Sequence, residues 1–92
     1  MANHKSALKR AKQSEARRMR NRARKSRMKT AIRKLEEAIR TNAVDAAMEH
    51  LREATSIIAK TAAKGTIHRN TASRKISRLA KKVNMLKAAQ SA

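Results

Sequence analysis

The chain has 92 residues, enough for one small domain, with 25 Lys and Arg against 6 Asp and Glu and a formal net charge of +19. It has no cysteine, which excludes a disulfide framework and thiolate metal sites, and no apolar run long enough to span a membrane. A charge of this size says little about fold but names the partner class: a polyanion or an anionic surface.

The excess charge sits at the two ends. Residues 1–40 hold fifteen basic and three acidic side chains, residues 41–66 three of each, and residues 67–92 seven basic and none acidic. That distribution predicts a neutral packing element between two binding elements. The Arg-rich, acid-poor start mimics a mitochondrial presequence, but the same excess returns at the other end, where no presequence puts it. A reducing cytosol is the expected setting.

With no proline, one glycine and no aromatic residue, helix propensity is high almost everywhere. Apolar spacing predicts three helices, at about 5–40, 43–63 and 68–88, in a single all-α domain. In the first, Met28, Ile32, Leu35 and Ile39 recur at three- to four-residue intervals and form one face. Upstream of Ala31 the only large apolar residues after Met1 are Leu8, Met19 and Met28, too few to build a core. The first half of this helix is therefore expected to project beyond the rest.

Within it, RRMRNRARKSRMK (residues 17–29) places eight positive charges in thirteen residues. At 3.6 residues per turn, Arg18, Arg22, Lys25 and Lys29 form one stripe, and Arg17, Arg20, Arg24 and Arg27 a second. The two flank the continuation of the apolar seam; Met19, Ala23 and Ser26 lie on the reverse. Such a rod is able to lie between phosphate backbones and reach more than one strand. Mutual repulsion and the missing core predict that this half is frayed when free and becomes helical on its partner.

The second helix carries Val44, Ala47, Met48, Leu51, Thr55, Ile58 and Ala62 on one side, with Met48 expected as core filler. Asn42 is expected as its N-cap, with Asp45 in the first turn. Gly65, just after Lys64, suits a helix C-cap. The third helix puts Ala72, Ile76, Leu79, Ala80, Val83 and Leu86 on one side and Arg74, Lys75, Arg78, Lys81 and Lys82 opposite. A basic outer face is often only solvated, but a helix built for solubility mixes signs, and this one has no acid. Short connections make an antiparallel three-helix bundle the expected fold.

Arginine recognises phosphate through a planar, bidentate fork. A membrane-lying helix would carry Trp or Phe on its buried side, and none is present. The stretch NRARKSRMK has the flavour of a leucine-zipper basic region. That family, however, places small residues three and four positions after its asparagine, where this chain has Arg24 and Lys25. Seven residues beyond Leu35 stands Asn42 instead of a leucine. A-form RNA does not admit a helix into its major groove, and the absence of aromatics argues against base stacking. The residues describe a reader of shape and phosphates. A nucleoid-associated protein that compacts DNA is the alternative.

Two separate stretches resemble one family. Asn3-His4-Lys5-Ser6-Ala7 with Lys9-Arg10, then Arg17-Arg18, Asn21-Arg22 and Lys25-Ser26, form the first. KGTIHRNTASRKISRLAKKVN, Lys64 to Asn84, forms the second, with Lys64-Gly65, His68, Asn70-Thr71-Ala72, Arg74-Lys75 and Ser77-Arg78-Leu79. Together they are similar to the twentieth protein of the bacterial small ribosomal subunit. Ser73 and Ile76 depart from that pattern, where alanine and lysine are expected.

The resemblance implies a primary binder of 16S ribosomal RNA in the 30S subunit, touching the 5′ domain and the long penultimate helix of the 3′ minor domain. It implies RNA contacts at Lys5, Ser6, Lys9, Arg10, Arg17, Arg18, Asn21, Arg22, Lys25 and Ser26, and at His68, Asn70, Thr71, Arg74, Lys75, Ser77 and Arg78. The stripes add Arg24 and Lys29. No membrane, cofactor or homo-oligomer is expected. His4, His50 and His68 fall on separate segments without ligand spacing, so no metal is expected. Glu36, Glu37, Asp45, Glu49 and Glu53 lie off the apolar seams and suit surface pairing better than acid–base catalysis, so no enzyme is expected.

Overall fold

A computed structural model describes residues 2–91 of the chain, with side chains from residue 6 to residue 90. Three α-helices follow one another: α1 (Ala2–Arg40), α2 (Val44–Ala63) and α3 (Arg69–Ser91), with no strand among the described residues. This is an all-α bundle with a long first helix. At 1.5 Å per residue, the 39 residues of α1 run about 58 Å, roughly twice the length of the 20-residue α2. The molecule measures 72 × 21 × 14 Å with a radius of gyration of 18.3 Å, against about 12 Å for a compact chain of this length.

α2 is the central helix. It packs antiparallel against both neighbours, while α1 and α3, which run parallel, meet only marginally. Three contacts set their register: Thr66 Oγ1 donates to Asn21 Oδ1 at 2.9 Å, Lys82 faces Glu36 at 3.7 Å, and Gln90 Nε2 donates to the Asn42 carbonyl at 2.9 Å. The core is narrow and alanine-rich. Met28, Ala31, Leu35 and Ala38 come from α1, Ala47, Ala54 and Ile58 from α2, and Ala72, Leu79, Val83 and Leu86 from α3. Leu35, Ile58 and Val83 are its largest fully buried side chains. Ile76, where the resemblance expected lysine, packs half-buried against this cluster, so an apolar residue there adds to the core.

Both interhelical turns close with the same hydrogen-bond pattern. After α1, Ala43 N–H donates to Ala38 O at 2.9 Å and Asn42 N–H to Ile39 O at 3.1 Å, with Asn42 at φ 59°. After α2, Thr66 N–H donates to Thr61 O at 3.2 Å and Gly65 N–H to Ala62 O at 2.9 Å, with Gly65 at φ 77°. These are Schellman motifs, in which one left-handed residue turns the chain back and satisfies the last carbonyls.

Gly65 thus serves as expected. Asn42 does not cap the start of α2: Ala43 occupies that position, with no side-chain cap. Asn42 ends α1 instead, because asparagine tolerates the left-handed region that this turn requires. A second correction concerns Met48. It is 38% exposed, at the outer edge of the α2–α3 groove beside Leu51, Thr55 and Val83. The centre of α2 is filled by Ala47, Ala54, Ile58 and Thr61, because a helix gripped from two sides buries a face broader than one seam. Thr61 is tolerated there because its hydroxyl donates to Ile57 O at 2.7 Å.

Candidate nucleic-acid interface

On α1 contact with the rest of the bundle stops at Asn21. Every described side chain from Ser6 to Arg20 is exposed, and Leu8 and Met19 are 55% and 65% accessible. Residues 2–20 therefore form an arm of about 28 Å, and nothing packs on its described side chains, residues 6–20. Ser6, Lys9 and Arg10 lie on this arm; the side chain of Lys5, like that of His4, lies outside the described residues.

From Ser14 to Lys29 an open furrow follows one flank of α1. It is lined by Arg17, Arg18, Asn21, Arg22, Lys25, Ser26 and Lys29. The whole first stripe is thus brought together, and Arg17 joins it from the second. Arg24 parts from them. It lies half-buried on the other flank with Arg27, facing Lys60 and Lys64 across the groove between α1 and α2. Nothing in the apolar pattern marks those two lysines; their four-residue spacing on one side of α2 is the only signal in the sequence.

Asn21 has a second task. Its Oδ1 accepts from Thr66 Oγ1 at 2.9 Å and from an Arg24 guanidinium nitrogen at 3.3 Å. The side chain tethers the α2–α3 turn to α1 where the bundle ends and the arm begins. The donors left for a ligand are those of its amide nitrogen.

The α3 candidates lie beside this junction. His68 precedes the helix, and its Nδ1 accepts from Asn70 N–H at 3.0 Å while its carbonyl accepts from Ala72 N–H at 3.1 Å. It acts as the N-cap, leaving Nε2 for a ligand. Asn70, Arg74, Ser77 and Arg78 are exposed, and Thr71 and Lys75 half-buried. The basic residues do not all lie opposite the apolar seam. Lys82 turns to Glu36 on α1, and seven residues earlier on each helix Lys75 comes level with Lys29. Lys25, Lys29, Lys75 and Arg78 therefore share the side on which α1 and α3 adjoin. None has an ion-pair partner among the described residues.

The acids are placed elsewhere. Glu37 pairs with Arg40, Glu53 with His50 at 3.8 Å, and Glu36 with Lys82. Arg40's hydrogen bond and charge hold the Glu37 carboxyl below the usual carboxylate range. Only Glu15, 3.9 Å from Arg18, approaches the furrow, and both side chains are so exposed that the pair is weak. No described group of three or more His, Cys, Asp or Glu side chains is placed to hold a metal. No helix among the described residues is long and apolar enough to cross a membrane.

A narrow bundle with one helix running far past its core, furrowed by arginine and lysine, defines a class: basic helical proteins shaped to hold a polyanion. Sequence comparison narrows this to one family. The profile of ribosomal protein S20 matches residues 2–84, and the chain belongs to that family, whose members are structural proteins and not enzymes.

The chain is 64% identical over 86 residues to a small ribosomal subunit protein bS20 of Syntrophobacter fumaroxidans, covering 94% of this chain and all of that protein. It is 58% identical over 86 residues to the protein of the same name from Desulfatibacillum aliphaticivorans, covering 94% and 98%. The Desulfotalea psychrophila protein is 55% identical over 89 residues, covering 97% and 100%.

Proposed function

We propose that this chain is a structural component of the bacterial 30S subunit that binds 16S ribosomal RNA directly, in the cytoplasmic ribosome. It stabilises the folded 5′ domain and its approach to the 3′ minor domain. The observation that carries the reading is the furrow of cations that runs along α1 from the uncovered arm, at Arg17 and Arg18, onto the outer flank of the bundle, at Arg22, Lys25 and Lys29. Membership of a family whose relatives are named as small-subunit proteins supports the ribosomal setting.

In this reading the furrow receives phosphates from one flank. Lys75, Arg78 and the polar start of α3 (His68, Asn70, Thr71), with Arg74 and Ser77, extend the contact across the junction. Ser6, Lys9 and Arg10 hold the far end of the arm, together with Lys5. The contacts read backbone shape, because the chain has no aromatic side chain on which to stack a base.

Competition tests the partner: folded small-subunit RNA against duplex DNA at moderate salt. Preference for RNA is expected; preference for DNA would make the protein a DNA compactor. Arg18→Glu with Arg22→Glu should weaken RNA binding and reduce the slope of log affinity against log salt by about two. The denaturation midpoint of the bundle should stay unchanged, since both side chains are exposed. A bundle that melts would mean the stripe is structural.

A further inference from the structure

We infer that the groove between α1 and α2, at the Gly65 end of the bundle, is a second phosphate-binding surface, so that RNA backbone grips α1 from two flanks. The inference rests on the proposed RNA-binding role and adds a site to it. Arg24 and Arg27 reach the groove from α1, Lys60 and Lys64 from α2, over a floor of Ile57 and Thr61. None of the four cations has an acidic partner among the described residues.

Lysines at the C-terminal turn of a helix are favoured by its dipole without any ligand. That effect accounts for Lys60 and Lys64 singly, but not for two arginines facing them from another helix. Four like charges around one groove repel one another, and an acid at any of these positions would relieve them. The chain has such acids, but places them further along. Seven residues before Lys60 stands Glu53, paired with His50 at 3.8 Å and lining the adjoining stretch of the same interhelical groove. That stretch also holds Arg27 and Lys34, so it carries one acid against two cations. The Gly65 end carries four cations and no acid, and is where an anionic strand is held most strongly. That end is held firm by the Schellman turn and by the Thr66–Asn21 hydrogen bond.

The surface is distinct from the furrow. At 100° per residue, Arg24 and Arg27 lie on average roughly 160° around α1 from the stripe of Arg18, Arg22, Lys25 and Lys29. A helix with its side chains is about 10–12 Å across. One backbone strand lying in the furrow does not also reach the opposite groove, so the occupant is a second segment of RNA backbone. Thr61 spends its hydroxyl hydrogen on Ile57 O, so the donors the groove offers a ligand are those of its four cations.

The test uses the full chain and a folded small-subunit RNA transcript. Lys60→Gln with Lys64→Gln should lower the salt slope by about 1.8 and the affinity at 0.15 M salt on the order of tenfold. Arg33→Gln with Arg52→Gln, which removes the same charge from exposed positions elsewhere, should change affinity less than threefold. Far-UV dichroism should be identical in all. Because the chain has no cysteine, a single introduced thiol can carry an iron chelate that cleaves nearby RNA. Ser56→Cys, beside the groove, and Ser14→Cys, in the furrow, should cut different RNA segments. Equal effects of the two charge-removing pairs, or coincident cuts from the two thiols, would overturn the second surface while leaving RNA binding intact. Failure of the unsubstituted protein to bind RNA would overturn the proposed function itself.

Discussion

Consider the arm, residues 2–20, in the protein without RNA. It contains 19 residues, a little under a quarter of the helical residues in α1 (39), α2 (20) and α3 (23). No tertiary packing supports its described side chains, residues 6–20, but the packed half of α1 supplies a nucleus, so the helix need only propagate. Like-charge pairs oppose propagation at the junction: Arg17–Arg20, Arg18–Arg22 and Arg20–Arg24, three or four residues apart. At about 0.3 kcal/mol each they cost about 1 kcal/mol together, a factor of about five against extending the helix.

The free arm is therefore expected to fray progressively from Arg20 toward its N-terminal end. Ellipticity at 222 nm in low salt should fall short of the full three-helix value by up to a quarter and recover when RNA neutralises the furrow. Salt separates this cause from others. Raising it from 0.05 to 1 M shortens the screening length to about 3 Å and relieves the repulsion, so arm helicity should rise while RNA affinity falls. Amide exchange resolves the residues. Slow exchange through Lys9–Arg20 in RNA-free protein at low salt, unchanged by adding salt or RNA, would refute the reasoning.

Two substitutions test how the arm joins the bundle. Asn21→Ala removes the acceptor of Thr66 Oγ1 and Arg24, and should lower stability by about 1 kcal/mol, read as a shift in urea midpoint without a change of slope. Gly65→Ala meets no atom within 4 Å of the added methyl, so its cost is the left-handed backbone alone, about 1–2 kcal/mol. Gly65→Asn should lose less, since asparagine holds the equivalent position at Asn42.

The cationic stripes and the three apolar seams are legible because helical periodicity is local: a residue's neighbours three and four positions away are settled once the helix is. For the same reason the uncovered arm could be read from Leu8, Met19 and Met28 alone. Capping was less legible. Asn42 with Asp45 looks like the start of a helix, and only the hydrogen bonds to Ala38 and Ile39 show that it ends one. Met48 fits a helical seam whose Ala47 and Ile58 are fully buried, yet its own side chain stands at a groove edge, because α2 has neighbours on two sides.

What this sequence determined by itself is helicity, the segregation of charge and a first helix longer than its core can cover, all properties of spacing along one chain. Tertiary structure decided which side of α1 meets which helix. It brought Lys75 level with Lys29, set Lys60 and Lys64 opposite Arg24 and Arg27, and drew Asn21 to Thr66. Those pairings join residues from about 33 to 46 positions apart, where no local periodicity reaches. They arise from the order in which a narrow alanine-lined core stacks three helices.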